Sequence, residues 1–260
     1  MLSPQEASLK ARAAAVRALE LDALLGEAHT SLGYATFLYD WDWARAEEGL
    51  RRGLELNPNY VVGHYWYALF LAAMGRFEEA FAHLREARAL DPLSLVVHNH
   101  YGWVLYFARQ YDEAISQFRK ALELDANFSI ASVFLGLTYL QKGMMPEALR
   151  ELARGLTASG LHPGAVSILA AASALGGRKD DARRSLGQIQ KIARERYVSP
   201  FFLALVSLGF GNQDQALDLL EQAYQERSGW LANLKVEPAL DPLRSHPRFQ
   251  DLLRRMALPA

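Results

Sequence analysis

Apolar positions of the chain recur every 34 residues, in three parallel series. The first consists of alanines: Ala46, Ala80, Ala114, Ala148, Ala182 and Ala216. The second follows four residues later with larger side chains: Leu50, Leu84, Phe118, Leu152, Leu186 and Leu220. The third lies upstream, has small residues and begins with a step of 35: Gly33, Ala68, Gly102, Gly136, Ala170 and Ala204. A period of this length predicts stacked structural repeats.

Each repeat is expected to be a pair of packed helices. Small residues on both helices allow close approach, and the larger residue one turn later fills the space between repeats. Gly75, Gly143, Gly177 and Gly211 stand between the paired helices, where glycine readily adopts a left-handed turn. Pro58 and Pro92 follow second helices and start new units. The pattern therefore predicts an all-α chain without a β-sheet.

These positions carry a family resemblance. Gly102 with Ala114, Phe118 and Ala121, the set Leu135, Gly136, Tyr139, Ala148 and Leu152, and the helix ends "LELNP" (54–58) and "ALELD" (121–125) resemble the tetratricopeptide-repeat (TPR) signature. The resemblance covers roughly residues 4–228. The signature tryptophan is missing, and its positions hold His29, His64, His98, Ser132 and Val166. The resemblance implies a right-handed α-solenoid that binds other proteins.

On this register we expect a single TPR solenoid over residues 1–260. Its parts are a lone second helix (4–25), repeats at 26–60, 61–94, 95–128, 129–162, 163–196 and 197–230, and a C-terminal cap (231–260). Because the array starts in mid-repeat, either the chain is a piece of a longer protein or the first helix is itself a cap. The long step after Gly33 predicts one extra residue within 39–43.

The repeat pattern breaks after Trp230. Pro238, Pro242 and Pro247 interrupt the last segment, which ends in a short amphipathic helix at about 248–256. This segment could be a ligand-like tail, but we favour a cap that covers the apolar face of the last repeat.

Two further stretches, "HTSLGYATFLYDWDW" (29–43) and "ERSGWL" through "LDPLRSHPRFQDLLRRM" (226–256), resemble the C-terminal TPR region of large bacterial signalling proteins. In those proteins such arrays follow a Ser/Thr kinase, a nucleotide cyclase or a winged-helix DNA-binding domain. The resemblance implies a bacterial regulatory context and leaves the partner open.

Composition narrows the possible chemistry. The net charge of −1 gives no reason to expect nucleic acid, and RNA-reading helical repeats would need basic groove residues. The absence of cysteine excludes disulfides, iron–sulfur clusters and cysteine-ligated zinc, so no cofactor is expected. The longest apolar runs, such as Ala68–Met74, are too short to span a membrane, and no signal core is visible. We expect a cytoplasmic protein, or a periplasmic one if the full-length protein is anchored.

No catalytic motif is present, so we do not expect an enzyme. His98 and His100 are two residues apart and point to opposite sides of a helix, which argues against a metal site. His29, His64 and His98 share one repeat position. They could form a pH-sensitive row, but packing between helices is the preferred interpretation.

The family register implies a binding groove lined by the first helix of each repeat. Its candidate residues are almost uncharged and largely aromatic: Tyr34, Phe37, Tyr65, Trp66, Asn99, His100, Trp103, Tyr106, Phe107 and Phe134. Only Asn99 fits the basic and amide set that grips a peptide carboxylate in chaperone-binding relatives, so such a clamp is rejected. About half of these residues are expected to be core. The others predict an apolar groove for a peptide or partner protein. The alternatives are a regulatory arm whose effector domain lies upstream, and self-association through the groove or an end of the array.

Overall fold

A computed structural model describes residues 3–258, which form fourteen α-helices and no β-strand. In order these are α1 Pro4–Leu21, α2 Gly26–Ala35, α3 Trp43–Leu56, α4 Val61–Ala73, α5 Phe77–Leu90, α6 Leu95–Phe107, α7 Tyr111–Leu124, α8 Ser129–Gln141, α9 Met145–Ala158, α10 Pro163–Leu175, α11 Lys179–Ile192, α12 Pro200–Gly209, α13 Gln213–Gln225 and α14 Pro247–Arg255. The all-helical prediction is confirmed for this part of the chain.

The helices pack as antiparallel pairs, from α2 with α3 to α12 with α13. The first helices of successive pairs also touch one another, from α2 with α4 to α10 with α12. They form a continuous inner layer, and the second helices lie outside it. This arrangement is a helical solenoid, so the fold class predicted from the repeat period is confirmed.

The small-residue series lie where the paired helices come closest. All six alanines of the 34-residue series are fully buried. A Cβ atom on Gly33 would lie 2.7 Å from the backbone nitrogen of Leu50, and one on Gly136 would lie 2.6 Å from the side chain of Leu152. These distances are shorter than any ordinary van der Waals contact, so the close helix packing requires glycine at both positions.

The turns inside the pairs follow the expected pattern, with two exceptions. Gly75, Gly143, Gly177 and Gly211 have φ between 72° and 84°, in the left-handed region. The same repeat position holds Trp41 (φ 58°) and Arg109 (φ 61°) in the two remaining turns. A side chain costs free energy in this conformation, so at both positions other contacts of the side chain offset the cost.

The extra residue of the first pair is accommodated earlier than predicted. Residues Thr36–Asp40 continue α2 as one π-helical turn, and the Trp41 N–H donates to the Thr36 carbonyl at 3.1 Å. A π-turn absorbs an inserted residue by widening the helix locally. The insertion is therefore accommodated mainly inside the first helix and not, as predicted, in the aromatic turn at 39–43.

The chain after α13 returns to the inner layer. Residues 228–258, here called the C-terminal segment, contain the 3₁₀ turns Gly229–Asn233 and Pro238–Leu243 and helix α14. Five large side chains of the segment are fully buried: Leu231, Leu234, Leu240, Leu243 and Phe249. Helix α14 is joined to α13 by ion pairs of Arg248 with Asp218 and of Arg255 with Glu221.

The C-terminal segment does more than cover the last repeat. Trp230 lies 5.9 Å from the Trp103 ring of α6, and the Arg109 guanidinium contacts Asp241 at 2.7 Å. The indole N–H of Trp43 donates to the Met256 carbonyl at 2.9 Å. The segment thus joins the end of the array to its first half, and it lies across part of the predicted groove.

Candidate protein-interaction surface

Five of the ten predicted groove residues are half-buried and share the inner layer of α2, α4 and α6. We call them the open set: Tyr34, Tyr65, Trp66, His100 and Trp103. Their rings form two stacked pairs between neighbouring repeats. Tyr34 stacks on Trp66 at 4.3 Å with an angle of 4° between the planes, and Tyr65 stacks on His100 at 4.3 Å. Ring stacking across repeats holds these side chains in place before any partner arrives.

The other five residues lie inside the protein. We call them the buried set: Phe37, Asn99, Tyr106, Phe107 and Phe134, each at most 4% exposed. Phe37 packs edge-on against Phe70 at 5.5 Å, and Phe134 stacks on Phe118 at 6.0 Å. Because they are core residues in this structure, a partner reaches them only if the surrounding chain moves.

The C-terminal segment seals the end of α6. The Tyr106 hydroxyl donates to Glu237 Oε1 at 2.6 Å, and the Ala239 N–H donates to the same oxygen at 3.0 Å. Burial raises the pKa of the Glu237 carboxyl, although the hydrogen bond from Tyr106 acts in the opposite direction. Burial also raises the pKa of Tyr106 well above its usual value, so the phenol keeps its proton. Sequence patterns gave no sign of this pair, because its members are 131 positions apart.

The histidine row has a structural role. In His29, His64 and His98 the Nε2 atom lies 2.8–3.2 Å from the carbonyl oxygen of the residue six positions earlier. A carbonyl only accepts, so each ring carries its proton on Nε2 and ties its helix to the preceding turn. The other nitrogen, Nδ1, lies 3.0 Å from His83 Nδ1 in His64 and 2.9 Å from the side-chain amide of Gln117 in His98. With the His98 proton on Nε2, that amide donates to Nδ1 through its NH2 group.

The His64–His83 contact joins two imidazole rings on the helices α4 and α5. With the His64 proton on Nε2, His83 Nδ1–H donates to His64 Nδ1. Burial lowers the pKa of His83 to about 4, with the nearby His64 acting in the same direction. Across residues 3–258 no three histidine or carboxylate side chains are grouped as metal ligands. No helix in that range is long and apolar enough to cross a bilayer.

Sequence reasoning missed Trp230 as a member of this surface. Its ring lies 4.8 Å from Phe202 and 5.9 Å from Trp103, so it extends the open set towards α12. A break in the repeat pattern marks only where the array stops, and the path of the chain beyond that point depends on long-range packing.

Two family models of the tetratricopeptide repeat match the chain, over residues 61–127 and 102–166. No curated protein sequence matches it significantly. Solved structures with a similar fold include PilF of Pseudomonas aeruginosa (21% identity, TM-score 0.57, 89% of this chain and 97% of that one) and PilW, described as a widely conserved type IV pilus biogenesis factor (22%, 0.60, 88% and 98%). Another is a human IFIT1 dimer with PPP-AAAA, which has 16% identity and a TM-score of 0.67. The match covers 97% of this chain and 61% of that one.

At these identities the likeness to solved structures concerns the fold alone, whereas the family models match the sequence itself. Both agree with the 34-residue period, the buried alanine series and the paired helices. Residues 61–166 therefore consist of tetratricopeptide repeats, and the same helical-pair fold continues on both sides of them.

Proposed function

We propose that this protein is a protein-interaction scaffold whose open set binds a segment of a partner protein. The observation that carries the proposal is the row of half-buried, mutually stacked rings on three successive first helices. Solenoid repeats commonly bind partners on such continuous inner surfaces. The family matches support a role in protein interaction, and the partly exposed rings of the open set support this particular surface.

The energetics favour aromatic anchors at this place. Tyr65 and Trp66 have few rotatable bonds, and stacking on His100 and Tyr34 already restricts them. Little conformational entropy is therefore lost on binding. A well-packed aromatic anchor contributes about 2 kcal/mol or more when the partner removes it from water.

The partner segment should be apolar or aromatic. The open set contains no acidic or basic side chain other than the imidazole of His100, and burial lowers the pKa of that imidazole to about 4. His100 is therefore neutral at physiological pH. A neutral surface selects for apolar area and for few charges, because a charged group would lose hydration without gaining a counter-charge.

RNA is a poor fit to the same surface. One structural neighbour, human IFIT1, is described in complex with PPP-AAAA. A triphosphate or a phosphate backbone requires lysine or arginine groups, and the open set has neither. The fold likeness alone does not transfer that ligand to this chain.

A quantitative pull-down tests the proposal. The wild-type chain, Tyr65→Ala and Trp66→Ala serve as baits, and mass spectrometry measures the recovery of each co-purified protein. We expect at least one partner whose recovery falls about tenfold or more in both variants. Leu93→Ala is the matched control, because Leu93 is apolar, 75% exposed and outside the open set.

Arg52→Ala is a second control that removes a charge from the outer helix α3. Both controls should recover the partner as the wild type does. If no partner depends on Tyr65 and Trp66, or if Leu93→Ala loses it equally, the proposed binding surface is incorrect.

A further inference from the structure

A polar pocket lies at the start of the array, between α1 and the first helix pair. It has a volume of about 420 Å³, and residues of α1, α2, α3 and the π-turn form its walls. This volume lies within the range of sites that hold small molecules. The residues that line the pocket do not include any member of the open set, so it is separate from the proposed partner surface.

The next repeat shows why space is left here. The position of Leu32 recurs at Tyr67, and the position of Gly49 recurs at His83. The rings of Tyr67 and His83 contact each other with centroids 4.6 Å apart. Leucine and glycine are smaller, so the first repeat leaves the same place open. A Cβ atom on Gly49 would lie 2.9 Å from the Cα atom of Gly33, so the close approach of α2 and α3 requires glycine there.

The same glycine leaves one ring nitrogen of His29 without a partner. In His64 and His98 the Nδ1 atom lies 2.9–3.0 Å from the side chain at the position equivalent to Gly49. His29 keeps only the contact of its Nε2 atom with the Ala23 carbonyl, at 3.0 Å. Because the proton is on Nε2, the Nδ1 atom of His29 is a free acceptor on a residue that lines the pocket.

The charges at the pocket are inverted relative to the next repeat. Three arginines of α1 and α3 line it: Arg12, Arg45 and Arg52. The corresponding positions, 35, 34 and 34 residues later, hold glutamates: Glu47, Glu79 and Glu86. Guanidinium groups around one pocket favour an anion, and arginine recognises phosphoryl oxygens through its paired N–H groups.

Nearby carboxylates compensate only part of this positive charge. Arg12 forms an ion pair with Asp40. Arg52 shares the carboxylate of Glu55 with Arg51, a fourth arginine of the pocket wall, at distances of 3.4 and 2.6 Å. Two guanidinium groups therefore divide one carboxylate between them.

The remaining charged residues of the wall are Arg45 and Glu48, and neither has an ion-pair partner among residues 3–258. Arg45 offers an uncompensated guanidinium. The Glu48 carboxylate repels a second anionic group and accepts hydrogen bonds from hydroxyls. The pocket thus combines donors for one anion with two acceptors, Glu48 and His29 Nδ1, for neutral O–H groups.

We propose that this pocket binds a small phosphate monoester that carries hydroxyl groups, of the sugar-phosphate class. The phosphoryl oxygens accept hydrogen bonds from Arg45 and Arg52. The hydroxyls donate to Glu48 and to the Nδ1 atom of His29. Neither inorganic phosphate nor an uncharged sugar meets both requirements.

Glucose 6-phosphate is the probe, with glucose and inorganic phosphate as the matched compounds. Isothermal titration calorimetry of the full chain at low ionic strength measures each affinity. We expect glucose 6-phosphate to bind at least about tenfold more tightly than either compound, because it alone engages both the arginines and the two acceptors.

Three variants locate the site. Arg45→Gln removes the uncompensated charge and should weaken glucose 6-phosphate binding about tenfold. Leu32→Tyr restores the ring that the next repeat has at this position and should abolish binding by filling the pocket. Arg85→Gln makes the same change as Arg45→Gln at an exposed residue of α5 outside the pocket, and it should have no effect.

His29→Gln tests the hydroxyl contact. The glutamine amide keeps a donor for the Ala23 carbonyl and removes the Nδ1 acceptor. Its affinity for glucose 6-phosphate should fall by about threefold to tenfold, while its affinity for inorganic phosphate stays the same.

The alternative is a general attraction of anions to surface arginines. In that case inorganic phosphate binds as tightly as glucose 6-phosphate, or Arg85→Gln weakens binding as much as Arg45→Gln does. Either result overturns the proposal, and so does the absence of binding at millimolar glucose 6-phosphate. If Leu32→Tyr does not fold, the comparison of Arg45→Gln with Arg85→Gln decides. These variants leave Tyr65 and Trp66 unchanged, so failure here is distinguishable from failure of the partner surface.

Discussion

Trp103 and Tyr106 belong to the same helix, three residues apart, yet one is open and the other is fully buried. Trp103 contacts the C-terminal segment through Trp230, with ring centroids 5.9 Å apart. Tyr106 is covered and donates a hydrogen bond to Glu237 of that segment. Two aromatic residues of one helix therefore differ in exposure, because a segment that is distant in sequence covers one of them. Other members of the buried set are covered by the repeats themselves, since Phe37 packs on Phe70 and Phe134 stacks on Phe118.

The comparison also shows how a solenoid can limit its own groove. A TPR array that ended at α13 would present the Tyr106 and Arg109 end of α6 to solvent. Here the C-terminal segment occupies that place, with Glu237 accepting a hydrogen bond from Tyr106 and Asp241 paired with Arg109. The aromatic row between Tyr34 and Trp103 stays partly exposed.

The largest expected difference in the free energy of unfolding is between an alanine substitution in the buried set and one in the open set. Tyr106→Ala should lower the free energy of unfolding by about 3–5 kcal/mol, because it leaves a cavity and strips Glu237 of a partner. Trp66→Ala should cost about 1–2 kcal/mol, because its ring is partly exposed and its removal leaves no closed cavity. Denaturant unfolding of both variants measures the difference. Equal losses would show that the division into two sets is wrong.

A second prediction concerns the packing beneath both sets. Ala114 has no exposed surface, so Ala114→Leu should overpack the contact between helices and cost about 1–3 kcal/mol. Ala13 is exposed on α1, and Ala13→Leu should change stability by less than about 0.5 kcal/mol. Thermal unfolding of the two variants checks the register. A neutral Ala114→Leu would mean that the alanine series does not mark the close contacts.

A third prediction uses the buried carboxyl. A folded-state pKa that is raised above the unfolded value means that the folded protein takes up a proton more readily. Stability therefore rises as the pH falls through the folded pKa of Glu237, and the gain is complete below the unfolded pKa. Glu237→Gln keeps the acceptor oxygen and removes the charge, so it should stabilise the protein at pH 7 by about 1 kcal/mol.

The advantage of Glu237→Gln over wild type should shrink as the pH is lowered from 7 towards 4, as followed by urea unfolding. Tyr197 and Glu226 form a similar pair that is less buried, with a hydroxyl-to-carboxylate distance of 2.8 Å. Glu226→Gln is the matched control and should change stability by less than about 0.5 kcal/mol. A pH-independent advantage for Glu237→Gln would contradict the buried-charge explanation.

The sequence predicted the local parts of this structure well and the long-range parts poorly. The alanine and glycine series predicted the helix pairs because helix packing repeats every 34 residues. The expectation that about half of the aromatic stripe is core agrees with the two sets of five. The path of the C-terminal segment could not be predicted, since the contacts from Trp230 to Trp103 and from Glu237 to Tyr106 have no periodic signal. The contact of Arg109 with Asp241 could not be predicted either, because the glycine series gives no sign of what a side chain at this turn position would contact.

The smallest predicted change in the free energy of unfolding concerns Arg109. It stands in a left-handed turn where four other repeats have glycine, and its guanidinium contacts Asp241 of the C-terminal segment at 2.7 Å. Arg109→Gly relieves a backbone cost of about 1 kcal/mol and loses an exposed ion pair of about 0–1 kcal/mol, so stability should stay the same or rise by up to about 1 kcal/mol. Arg109→Ala loses the ion pair and keeps the backbone cost.

The informative quantity is therefore the difference between the two variants. Arg109→Gly should be more stable than Arg109→Ala by about 1 kcal/mol, as measured by denaturant unfolding under identical conditions. Gly143→Ala tests the same backbone cost in a turn where a Cβ atom meets nothing within 4 Å, and it should lose a similar amount. If Arg109→Gly instead costs more than about 2 kcal/mol, the arginine contributes far more than a surface ion pair, and its contact with Asp241 is a principal fastening of the C-terminal segment.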